Sequence, residues 1–151
     1  MCNLYAQTKS QDAMRQVFSD VLEEDEELID AAGNLAPASG IFPDYAAPII
    51  RRGERRDWTL TTARWGMPTP PVYLAGKRTD PGVTNIRNVS SPYWRRWLGI
   101  EHHCLVPFTS FSKLDVRPDA RRNHPAWFPS GRIDHLRSLL ESAPNGPRSE
   151  S

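Results

Sequence analysis

The chain has 151 residues, 38% hydrophobic and 25% charged, with a formal net charge of +1. That length and balance predict one globular domain able to bury a core, and no apolar run approaches the roughly 20 residues that cross a bilayer. The start lacks the basic stretch and apolar block of a secretory signal, so a cytoplasmic, membrane-free protein is expected, and a monomer. Two distant cysteines, Cys2 and Cys104, give no disulfide framework. The near-zero net charge hides an asymmetry. Residues 1–50 carry two basic and nine acidic side chains, whereas residues 51–122 carry fourteen basic and six acidic. A basic middle segment with interleaved aromatics suits an anionic polymer, although a solvated charged face fits the charges equally well.

In chain order, the first feature is "MCNLYAQ", which places a cysteine directly after the initiator methionine. The small second residue favours removal of Met1, and Cys2 would then carry a free α-amine beside a free thiol. Their reference pKa values, about 7.7–8.0 and about 8.5, leave reactive fractions of both near neutrality. The amine can condense with an aldehyde, and the neighbouring thiol can close a five-membered thiazolidine on the imine. The alternative use is an amidase nucleophile whose own amine is the base.

Residues 8–24 repeat Ala13, Met14, Val17, Phe18, Val21 and Leu22 at helical spacing, with Thr8 and Gln11 resembling a capping box. An amphipathic helix running into the acidic "EEDEE" is predicted. "GNLAPASGIFP" reads as loop, "APIIRR" and "DWTLTTARWG" as two strands joined at Gly53, and "MPTPPVYLAGKRTDPG" mostly as loop. "SSPYWRRWLG" carries helix punctuation, with Ser91 as N-cap, Pro92 first and Gly99 past the end. "HHCLVPF" reads as a short strand with Cys104 as a buried core thiol. "IDHLRSLLES" suggests a last helix, and the final nine residues a disordered tail. The coarse reading is α+β with a mostly antiparallel sheet.

Several residues suit chemistry. Asn85 in "TNIRN" offers an amide for a sugar or oxyanion oxygen. Arg87, two residues on, shares its face in an extended segment and can bind phosphate bidentately. In "ARWGM", Arg64 and Trp65 pair a phosphate binder with a stacking surface for an unpaired base, although Trp65 could equally be core. His102, His103 and Cys104 are adjacent and no second ligand pair lies at a metal-binding spacing, so no metal is expected. No cofactor is expected either.

Taken in order, "MCNLYA", "GNLAP", "ARWGM", "TNIRN" with "SSPYWRRWLG", and "HCLVPFTSF" resemble the SRAP family, the SOS-response-associated peptidases or abasic-site processing proteins. The likeness covers most of residues 1–128, and residues 129–151 are set apart as a divergent helix and tail. The resemblance implies a β-barrel-like core with flanking helices and a basic groove for single-stranded DNA. It also implies a Cys2 that forms a thiazolidine with the ring-opened aldehyde of an abasic site, with an associated autoproteolytic activity. It makes Cys2 the nucleophile and Asn85 the active-site asparagine near the abasic sugar. Arg87 becomes a phosphate contact, and Trp65, beside Arg64, packs against bases.

Two departures accompany the likeness. Where family members commonly carry a proton-transferring glutamate, this chain has Lys113, with Asp115 reachable only by shifting the alignment. A cation there disfavours protonation of a nearby amine and accepts no proton as a carboxylate does. The family's catalytic histidine, in an H-x-R-M-P-like segment, has no counterpart, since His124 and His135 lie in other contexts. A truncated or frame-shifted C-terminus with unpartnered barrel strands is the corresponding expectation, and with it impaired catalysis. A non-catalytic remnant that binds single strands through Arg64, Arg87, Arg95 and Arg96 is the alternative function. An N-terminal-nucleophile amidase is a weaker one, because such enzymes normally follow Met-Cys with glycine.

Overall fold

The computed structural model describes residues 4–53, 57–80, 82–114 and 125–130. Cys2, Asp115, His124, His135 and the predicted C-terminal helix and tail lie outside them.

The architecture is α+β, with two sheets and few helices. The first sheet has four strands in the order β3 (Ala38–Ile41), β1 (Leu4–Gln7), β6 (Ser110–Leu114), β7 (Pro125–Pro129), every pair antiparallel. The second has the order β2 (Leu28–Asp30), β5 (Trp58–Arg64), β4 (Ala46–Arg52), with β2 parallel and β4 antiparallel to β5. Among the described residues the sheets do not close into a barrel. No helix there is long and apolar enough to cross a membrane.

Helix α1 (Gln11–Ser19) forms where the apolar spacing places it, but shorter at both ends than the sequence suggests. Its N-cap is Ser10, whose hydroxyl accepts from the Ala13 N–H at 3.2 Å. Thr8 instead hydrogen-bonds to Thr109, and Gln11 ties the helix to the following loop through Asp30, Gly33 and Leu35. The acidic run is therefore a turn rather than a helix end, and its Glu26 pairs with Arg52 at 3.0 Å.

The hairpin β4–β5 matches the two predicted strands and their turn at Gly53. Alternation buries Ile50, Trp58 and Leu60 against Phe18 of α1, with Val21, Leu22, Leu28, Leu35 and Leu105 around them. A second cluster joins Tyr5, Ile41 and Ala47, with Trp65 and Phe111 packed on it. Because Ala47 and Ile50 both belong to β4, that strand connects the two clusters.

Three local expectations are corrected. "ASGIFP" is not all loop, because pairing of Ile41 with Tyr5 and Ala38 with Gln7 draws it into β3 despite Gly40. "HHCLVPF" is not a strand: a 3-10 turn covers Ile100–His102, and only Leu105 bonds to an edge, exchanging both hydrogen bonds with Ile50. Cys104 is exposed rather than a core thiol, because one bridge leaves the segment on the surface; partial desolvation still raises its pKa. The helix at Ser91 is a single turn, α2 (Pro92–Arg95), with Trp94 as its buried anchor.

Candidate functional site

Three of the motif segments meet at β1, and two more attach to the segment that follows Trp65. Tyr5 of "MCNLYA" pairs with Ile41, just beyond "GNLAP", on one side, and with Phe111 of "HCLVPFTSF" on the other. Its ring meets that of Trp65 of "ARWGM" at a centroid distance of 5.1 Å. An isolated antiparallel bridge joins Met67 to Val83, with hydrogen bonds of 3.0 and 2.8 Å in both directions. Trp65 precedes that bridge by two residues on one segment, and Asn85 of "TNIRN" follows it by two on the other. Tyr93 of "SSPYWRRWLG" donates its hydroxyl to the Pro68 carbonyl at 3.2 Å and attaches that segment beside the bridge.

Individual candidates differ in what they are free to do. Asn85 is exposed, and its Nδ2 donates to Thr84 Oγ1 at 3.0 Å. Arg87 is exposed and forms no ion pair among the described residues. Trp65 is half-buried, one face against Tyr5, so it combines a packed side with an accessible one. Arg64 is committed to the fold. Its Nε donates to Asp44 Oδ1 and its Nη2 to the Asp80 carbonyl. Arg95 is exposed, while Arg96 lies 4.5 Å over the Tyr93 ring and 5.3 Å from Trp97. Lys113 is exposed on β6, next to Ser112, the partner of Leu4.

Sequence reasoning missed the groups that hold this arrangement together. The Asp80 carboxylate accepts from Thr69 Oγ1 at 2.5 Å, from the Thr69 N–H at 3.0 Å and from the Gly82 N–H at 2.8 Å. These three donors, the Thr69 hydroxyl foremost, with Arg64 adding charge, lower its pKa from 3.8 to about 2. The signal was present in "TDPG", whose Asp suits a turn that bonds two residues on. A shallow open concavity of about 580 Å³ lies elsewhere, between the start of α1 and residues 30–37, lined by Gln11, Arg15 and Asp30 among others. It is an intramolecular seam bridged by the contacts of Gln11, and neither Trp65 nor Asn85 lines it.

The fold has a crystallographic counterpart. A protein from Bordetella bronchiseptica, solved by X-ray crystallography, is similar at a TM-score of 0.50 and 26% identity. The likeness covers 76% of this chain and 51% of that one, so this chain spans about half of its length. No protein-family model matches the sequence, and no curated protein matches it significantly.

Proposed function

We propose that the chain is an SRAP-type protein that binds single-stranded DNA and captures abasic sites through Cys2. The observation that carries this reading is the convergence on β1. Motifs separated by up to a hundred residues meet around Tyr5, Trp65 and the Met67–Val83 bridge. An amine–thiol terminus has use for groups of these kinds: an aromatic face for a base, an amide for the sugar, and a guanidinium with no ion pair among the described residues for a phosphate. β1 is an interior strand: Leu4, two places after Cys2, pairs with Ser112, and Tyr5, one place further, pairs on both sides of the strand.

The chemistry balances without a cofactor. The α-amine of Cys2 attacks the aldehyde carbon of the ring-opened abasic sugar, and the carbinolamine loses one water to give an imine. The thiol adds its sulfur to the imine carbon and its proton passes to the nitrogen, closing the thiazolidine. Asn85 orients the sugar oxygen and Arg87 the flanking phosphate. Lys113 supplies no carboxylate for proton transfer, so condensation is slow, and reversal, which needs that transfer again, is slower still.

The test is a denaturing gel of wild type and Cys2→Ala after incubation with single-stranded DNA carrying one abasic site. A crosslink with wild type that disappears in the variant is expected, and an equal crosslink in both removes Cys2 from the role. Salt-sensitive binding with no crosslink in either protein supports the non-catalytic alternative, with the exposed Arg87 and Arg95 among its phosphate contacts.

A further inference from the structure

We propose that Asp80 is a positioning residue, the bolt of a latch that fixes the Met67–Val83 bridge and, through it, the start of the segment carrying Asn85 and Arg87. The consequence for crosslinking rests on the abasic-site reading above, whereas the latch itself does not.

The loop from Thr69 to Asp80 leaves and returns at the same place, and a single carboxylate closes it. Thr69 gives that carboxylate its hydroxyl and its backbone N–H from the outgoing side, and Gly82 gives its N–H from the returning side. Immediately inside the closure, Met67 and Val83 exchange backbone hydrogen bonds. Gly66 and Gly82 adopt φ of +142° and +71°, and their backbones approach so closely that a Cβ on Gly82 would lie 3.3 Å from Gly66 Cα. The approach leaves little room for slippage. Asn85 follows Val83 by two residues and Arg87 by four, so their placement derives from this closure.

Arg64 bolts the same loop to a second element. It grips the Asp80 carbonyl with Nη2 and the Asp44 carboxylate with Nε. Asp44, at φ 77°, sits in the β3–β4 turn and donates its N–H to the Trp65 carbonyl at 2.8 Å, while Trp65 N–H donates to the Tyr45 carbonyl at 2.9 Å. The segment carrying Trp65 and the loop closed by Asp80 are thereby tied to the same turn. Asp80 acts through the residues that it holds. Its carboxylate, accepting from three donors, fixes where the substrate-facing residues stand, and an amide in its place presents an NH2 to donors that need an acceptor.

The experiment uses the full chain with Asp80→Asn, Thr69→Val and Thr69→Ser, read by amide hydrogen exchange and by crosslinking rate at saturating abasic single-stranded DNA. In Asp80→Asn the Val83 amide should exchange about tenfold faster, while Phe18 and Leu60 keep their protection. The crosslinking rate should fall by about tenfold, with affinity for intact single strands changed less than about threefold. Thr69→Val should follow it part of the way, and Thr69→Ser, which keeps the hydroxyl, should restore wild-type values. Wild-type Val83 protection and crosslinking rate in both Asp80→Asn and Thr69→Val overturn the proposal. If wild type forms no crosslink, the abasic-site reading falls, and Val83 exchange alone decides the latch.

Discussion

The two sheets of this molecule are built on different terms. Around Phe18 and Leu60, strands β2, β5 and β4 pack under α1 into an apolar cluster drawn from residues 18–60, with Leu105 arriving at its edge. Around β1, the partners come from residues 38–41, 65 and 110–114, and many of the side chains remain half-open to solvent. Phe108, Trp127 and Phe128 of that second region are each more than 40% exposed, whereas Leu60 is fully buried. One region is a scaffold held by burial. The other is an assembly of distant segments held by backbone pairing, ring contacts and the Asp80 hydrogen bonds, and it carries the residues with chemistry. Stability and function should therefore separate on mutation.

The largest effect falls on the scaffold. Leu60→Ala leaves a cavity at the most enclosed position and should cost about 2–5 kcal/mol in chemical denaturation, lowering site and scaffold together. A loss below about 1 kcal/mol would mean that the cluster is not the stabilising centre.

Next is Lys113→Glu, which gives β6 a carboxylate beside the strand that leads from Cys2. Crosslink release, followed by transfer to a competing aldehyde trap, should accelerate by roughly tenfold, with the denaturation midpoint almost unmoved. Unchanged release would disconnect residue 113 from the proton transfer.

A smaller effect distinguishes two arginines of the site region. Arg87→Ala should reduce the salt dependence of single-strand binding by about one phosphate contact, because its guanidinium meets no carboxylate among the described residues. Arg64→Ala should leave that slope in place and loosen the loop instead, since Asp44 and Asp80 occupy its donors. Identical slopes in the two variants would erase the distinction.

The smallest effect is confined to acid. Asp80 has a folded pKa of about 2 against 3.8 unfolded, so its contribution is complete well above pH 4 and is lost as pH falls from about 4 towards 2. Protection of the Gly82 and Val83 amides, corrected for intrinsic exchange, should decline over that window in wild type. A pH-independent profile would show that the carboxylate does not hold the loop.

The scaffold was largely legible in the sequence because its information is local. The spacing of Met14, Val17 and Phe18 indicates α1, and the flanks of Gly53 indicate the β4–β5 hairpin. Helix bounds were overrun because Ser10 caps in place of Thr8 and the chain turns at Asp20. β1 and β2, four and three residues long, show no strand pattern locally, and β3, β6 and β7 are equally illegible, since "ASGI", "SFSKL" and "PAWFP" carry Gly, Ser and Pro and become strands only through pairing that begins at β1. The site divides in the same way. Residue types such as Asn85 and Arg87 announced themselves, but no local pattern shows that Tyr5 meets Trp65, or that Arg64 is turned from a phosphate towards Asp44.

The most direct measurement of the central claim is intact-mass spectrometry of the full chain, alone and after incubation with single-stranded DNA bearing one abasic site. The expected spectrum shows a protein without Met1, and then a stable species equal to protein plus DNA minus one water. Protein that has lost Met1 and remains unmodified beside intact abasic DNA would contradict the assignment of Cys2 as a working nucleophile.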